Sequence, residues 1–151
     1  MKKTGMCIVA LLCAAVAVAQ TPEERAASEE RIVVLTQLSP KDCGVREIDD
    51  AVAACESVAG VTVAIAGTTS VLSDGTADLA ELAVRVESAV KSLSEAGAML
   101  AEATGALKGV KNPMKLKSAK RSVDYAQSVS TAASEELAYQ GRLVASLLSG
   151  E

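Results

Sequence analysis

Leu79, Val86, Leu93, Leu100 and Leu107 recur at every seventh position, and Leu82, Ala89, Ala96 and Ala103 fill the companion seam position beside them. Apolar residues at that spacing lie along one stripe of an α-helix, because seven residues make about two turns. Gly109 then suits a helix end, Asn112 a cap and Pro113 a first turn. After them Leu116, Val123, Ser130, Leu137 and Val144 repeat at seven, with Ala119, Ala126, Ala133, Gln140 and Leu147 alongside. Two long helices joined by so short a loop run antiparallel. The spacing therefore predicts one helical hairpin over about 76–108 and 113–148.

Folding the hairpin at its loop sets Ala103 opposite Ala119, Ala96 opposite Ala126 and Ala89 opposite Ala133, with Leu107 near Leu116 and Val86 near Leu137. Small layers facing small layers bring two helices to the short end of the usual spacing of about 8 to 10 Å. Composition asks for the same solution. The apolar half of the chain is mostly Ala and Val, with no Phe, no Trp and only Tyr125 and Tyr139 as aromatics, so each buried position contributes little area. A thin core favours an elongated bundle, or an oligomer that buries more surface. Ser130 and Gln140 are polar seam positions whose commonest use is to fix register. Tyr125 and Tyr139, fourteen residues apart, fall on nearly the same side of the last helix, where they are expected to anchor earlier helices.

The start of the chain reads as a secretory leader: basic Lys2 and Lys3, an apolar run from Met6 to Val18, and Ala17-Val18-Ala19 as a cleavage site before Gln20. The apolar run is shorter than the roughly 20 residues of a spanning helix, and Leu12 before Cys13 is not the small residue that lipidation requires. Domain organisation is thus a signal peptide at 1–19 and one helical domain at 20–151, with N-terminal helices over 20–72 and the hairpin over 76–148. Within 20–72, Thr21-Pro22-Glu23-Glu24 resembles a helix start, followed by a helix to about Leu38. Ser39-Pro40-Lys41-Asp42 repeats the signal, so a second helix is expected from there, with Val45, Ile48, Val52, Cys55 and Ala59 on one face. From Gly60 to Leu72 the pattern fits either a short strand or a helix seam of Val58, Val61, Ile65, Thr68 and Leu72. Helix is the better reading, because no second strand is present to pair with. Gly60 and Gly67 are candidate bends, and Ser73-Asp74-Gly75-Thr76 is a turn. The fold class that results is all-α: an elongated bundle of about four helices dominated by the hairpin.

Loss of Lys2 and Lys3 with the leader takes the 15 basic residues to 13 against 19 acidic ones, a formal charge of −6. That balance argues against nucleic acid as a partner. No later apolar run reads as long and charge-free enough to span a bilayer. The chain contains no His, which removes the commonest general base, the Ser/His and Cys/His nucleophile pairs and the His-containing metal sites of bundles. Acidic pairs occur at Glu23 and Glu24, Glu29 and Glu30, Asp49 and Asp50, and Glu135 and Glu136. Neighbours on a helix point about 100° apart, so these pairs are expected on solvated faces and not around one metal or substrate.

Cys43 and Cys55 are the cysteines that remain after cleavage, an even number in an oxidising compartment and so a candidate disulfide. In an unbroken helix from Pro40 their Cα atoms would stand roughly 18 Å apart, beyond the limit of about 7 Å, so bonding needs a break, for which Gly44 is the candidate. The alternatives are two buried thiols or an intermolecular bridge. Lys108, Lys111, Lys115, Lys117, Lys120 and Arg121 hold six of those 13 basic residues at the hairpin tip, with no acid between Glu102 and Asp124. Lys115 and Lys117 oppose the dipole of the helix they begin, so helix stability does not explain them. They are a candidate contact for an anionic surface or an acidic partner.

The functional expectation is a non-enzymatic exported structural or interaction protein, periplasmic or extracellular, acting through helix packing with itself or a protein partner of the cell envelope. It needs no cofactor and no metal. The alternative is an amphipathic protein that docks on anionic lipid through the basic tip, and a small periplasmic enzyme comes third.

Overall fold

The computed structural model describes residues 21–71 and 78–149, so the leader at 1–19 and the Ser73-to-Thr76 turn expected above lie outside the described residues. Four helices pack against one another: α1 (Pro22–Leu35), α2 (Arg46–Ser70), α3 (Leu79–Ala106) and α4 (Pro113–Ser149), with a 3-10 turn at Leu107–Gly109 between the last two. Among the described residues there is no strand. The fold is an all-α bundle in which α2, α3 and α4 are mutually packed and α1 lies along α4 and the edge of α2.

Local chemistry sets most of the helix ends. The Thr21 hydroxyl accepts the Glu24 N–H and the Glu24 carboxylate accepts the Thr21 N–H, both at 3.1 Å, a reciprocal capping box that opens α1. α1 stops at Leu35, short of the expected Leu38, where the Thr36 hydroxyl donates to the carbonyls of Ile32 and Val33. Asp78 caps α3 through the N–H groups of Ala80 and Glu81, and Asn112 caps α4 through those of Met114 and Lys115.

The second helix does not begin at Ser39. It begins at Arg46, after Gly44 has taken φ +72, a left-handed conformation that glycine adopts without a Cβ penalty. The Asp49 carboxylate reaches back from the first turn and accepts the N–H groups of Cys43 at 2.8 Å and Gly44 at 3.0 Å. That pair of bonds outweighs the Ser39 signal, because it satisfies two backbone donors of the connecting segment at once.

From there α2 runs without a break to Ser70, so the ambiguous stretch is helix as far as Ser70, Leu72 lying outside the described residues, and neither Gly60 nor Gly67 ends it. Its inner face differs from the one expected. Val58, Thr62, Ile65 and Thr69 are buried, whereas Val61 is exposed and Thr68 is half-buried. Threonine is tolerated inside because each hydroxyl donates to a carbonyl four residues back, Thr62 to Val58 and Thr69 to Ile65, both at 2.8 Å. α2 is also long and apolar enough to cross a membrane by length and composition, which corrects the expectation that no such run follows the leader. In the bundle its inward face, Ile48, Ala51, Cys55, Val58 and Ile65 among it, is part of the core.

The hairpin of α3 and α4 has the expected alanine layers. Ala89, Ala96, Ala103, Ala119, Ala126 and Ala133 are all buried. The core falls into two apolar clusters. The larger, from Leu35 and Ile48 to Ala133, fills the half toward the hairpin tip, and the smaller joins Ile65, Leu82, Val86, Ala89, Leu137 and Val144. Leu93 packs against both. Ala126 is fully enclosed, so Ala126→Leu is expected to lower stability by about 1 to 3 kcal/mol through overpacking. Urea denaturation followed by circular dichroism measures this, and an unchanged midpoint would contradict the close approach at that layer.

Candidate functional site

α4 carries two buried stripes. One is the heptad seam against α3. The other, Val129, Ala132, Glu136, Tyr139 and Leu143, steps by 3, 4, 3 and 4 and is also buried. Glu136 sits in the middle of that second stripe with its side chain 0% exposed, so the expectation of a solvated Glu135 and Glu136 pair is corrected: Glu135 is exposed and Glu136 is enclosed. The reason is α1, which covers this side of α4 and supplies two of the three partners, the third being Gln140 of α4 itself. Arg31 Nε donates to Glu136 Oε2 at 2.8 Å, Ser28 Oγ donates to Oε1 at 2.8 Å, and Gln140 Nε2 donates to Oε1 at 2.7 Å. The Arg31 guanidinium also stands 5.5 Å from the centre of the Tyr139 ring, within cation–π range.

Burial of a carboxylate is tolerated only when its lone pairs are taken up, and here three donors converge on it. Both tyrosines do anchor the earlier part of the chain. Tyr139 is buried beside Arg31, and the Tyr125 hydroxyl donates to the Gln37 carbonyl at 3.2 Å. Burial raises the phenols of both above the ordinary range, with the Glu136 carboxylate adding to the effect at Tyr139 and Glu56 at Tyr125. The sequence did carry a signal for Glu136, since that second 3-4 stripe is visible in α4 once the seam residues are set aside.

Open grooves flank α1 on two sides. One, of about 620 Å³, lies between α1, α2 and α4 and is lined by Ser28, Ile32, Val63, Tyr139, Gln140 and Leu143 among others. The other, of about 670 Å³, runs along the opposite side of α1 past Val34, Asp124 and Gln127. Gln140, 3% exposed, takes part in the Glu136 cluster through its amide nitrogen, and its Oε1 is buried without a hydrogen-bond partner. Among the described residues no three Cys, Asp or Glu side chains come together as metal ligands would.

Cys43 and Cys55 are free thiols, both buried in the larger core cluster. The break at Gly44 is present, but it leaves Cys43 beside Asp49 at the start of α2, and Cys55 lies six residues further on, about 9 Å along the axis. Burial pushes both thiols above their ordinary value, with the Asp49 carboxylate adding to the effect at Cys43 and a hydrogen bond from the Val45 backbone opposing it.

The six cations of the tip, Lys108, Lys111, Lys115, Lys117, Lys120 and Arg121, are all exposed, and none takes part in an ion pair among the described residues. The connection between α1 and α2 reaches the same end of the bundle, because a Cβ added to Gly44 would lie 3.6 Å from the Lys115 side chain. The N-termini of α2 and α4 therefore share that end with the lysines, and both helix dipoles add positive potential there. Met114, in the first turn of α4, is 80% exposed among these charges.

The fold and its sites thus define an all-α bundle with an internal ion-pair cluster and a basic end. No protein-family model matches this chain, no curated protein matches it, and no solved structure matches it.

Removal of the carboxylate alone strands Arg31, so Glu136→Ala is expected to cost about 3 kcal/mol or more, while the double change Arg31→Met with Glu136→Leu recovers most of it. Urea midpoints of the three proteins check this. Equal losses in the single and double variants would mean that the cluster is not an ion-paired unit. Both thiols are neutral in the fold, and their ordinary value is 9.0. Their contribution to stability is complete below that pH and declines as pH rises through the raised folded values, because the unfolded chain loses these protons first. The fall in urea midpoint between pH 8 and pH 10 is therefore expected to be smaller in a Cys43→Ala, Cys55→Ala variant.

Proposed function

We propose that this chain is a non-enzymatic exported interaction module of the cell envelope, in which helix packing holds a basic hairpin end out from an acidic body. Support for the non-enzymatic part comes from the use made of Glu136. Both of its oxygens are engaged by the chain's own Ser28, Arg31 and Gln140, so this buried carboxylate ties α1 to α4 and is not held ready for a substrate. Support for export comes from the leader-like residues 1–19, and support for an interaction role from the unpaired cations of the tip.

Export and contact are tested together by expressing the full chain in a secreting bacterial host, sequencing the N-terminus of the product and fractionating the cells. The expected product begins at Gln20 and is retained by washed envelopes. A product that keeps Met1 in the cytoplasm, or a processed one released entirely as free protein, overturns the reading.

A further inference from the structure

The arrangement of charge and apolar surface at the hairpin tip names the partner of this module, an inference that rests on the interaction role proposed above. We infer that the tip docks on an anionic lipid bilayer, with Lys117 and Arg121 against the headgroups and the Met114 side chain seated at the boundary between headgroups and acyl chains.

Three observations carry it. First, the charges are unspent: the six tip cations are exposed and free of ion pairs among the described residues, and Lys115 and Lys117 stand at a helix N-terminus, where they oppose the dipole. Second, the face is mixed in the way an interface-lying helix is mixed. Met114, Lys117 and Arg121 stand at i, i+3 and i+7 of α4, hence on one side, and Lys120 adjoins them while Ala119, Ser122 and Val123 point into the bundle. An 80% exposed Met flanked by cations on its own face lets the lysines reach headgroups while the thioether enters the less polar layer.

Third, the remainder of the molecule orients the approach. Residues 20–151 carry 13 basic and 19 acidic side chains, and with the tip's six cations set aside the rest sum to a formal −12, of which Asp42, Glu47, Asp49 and Asp50, with Lys41 and Arg46, belong to the segment that reaches the tip's end. A negative surface attracts that end and repels the other, so contact is tip-first. An anionic bilayer offers headgroups to the charges and, directly beneath them, a less polar layer to the Met114 side chain.

The test uses the chain from Gln20 onward, which contains every described residue, with sedimentation of vesicles made of phosphatidylcholine alone or of equal parts phosphatidylcholine and phosphatidylglycerol. Binding is expected on the anionic vesicles only, and to fall at least tenfold between 50 mM and 500 mM NaCl. The triple change Lys117→Glu, Lys120→Glu, Arg121→Glu is expected to abolish it, and Met114→Ser to weaken it severalfold at low salt. Val84→Ser, at a 64% exposed apolar position on α3, should leave it unchanged. Circular dichroism of each variant confirms that the bundle is intact, as substitutions at exposed positions should leave it. Equal binding to neutral vesicles, no binding to anionic ones, or a Met114→Ser protein that binds like the parent would overturn the inference. So would a chain that ignores vesicles but binds poly-glutamate, which would assign the tip to an acidic protein. Retention in washed envelopes together with failure on vesicles would leave the interaction role standing and remove only the lipid.

Discussion

The alanine layers shared by α3 and α4 are the constraint on which the other contacts depend. A chain without Phe or Trp has little side-chain volume with which to hold helices apart, and its dispersion contacts form only if backbones come close. Ala96, Ala103, Ala119, Ala126 and Ala133 permit that approach and are fully or almost fully buried by it. Once the hairpin is closed, α2 can lie against both of its helices with a regular face of its own. α1 is then left the outer side of α4.

That outer side is where polarity enters the interior. The cluster of Glu136, Arg31, Ser28 and Gln140 lies between the two apolar clusters, next to Ala133 of one and Leu137 of the other. An apolar contact between α1 and α4 would tolerate sliding by a turn, because successive turns of a helix with small side chains look alike. A buried carboxylate matched to one guanidinium does not, since any other register strands a charge. Gln140, expected as a register-setting residue of the seam, acts in this cluster through its bond to Glu136. The bundle therefore gains a fixed position for α1 from a group that costs free energy to bury.

At the other extreme of polarity, the tip holds charge that the fold does not neutralise. Its lysines lie where two helix N-termini and a hairpin loop meet, and none of them forms an ion pair among the described residues. The N-terminal end of α2 reached this place through a feature of the backbone. Gly44 at positive φ and the Asp49 carboxylate delay the helix to Arg46, which turns the preceding connection toward Lys115. Even with that break, Cys43 and Cys55 are both free, buried thiols.

Periodicity and end signals are properties of a single helix, so the sequence by itself determined the hairpin, its reversal near Asn112, the facing alanines and the helix start at Thr21. It also placed six cations at one tip, since a run without acids stays basic however the chain folds. Only the tertiary structure decided which remaining face of α4 would be covered, that Thr62 and Thr69 and not Val61 and Thr68 would turn inward, and that Glu136 would be enclosed while Glu135 stayed in water. Those outcomes depend on partners far away in the chain, Arg31 and Glu136 being 105 residues apart, and on the balance between desolvation and the hydrogen bonds such partners supply. No local spacing rule contains that balance, because the cost of burying a charge is fixed by what is brought up against it.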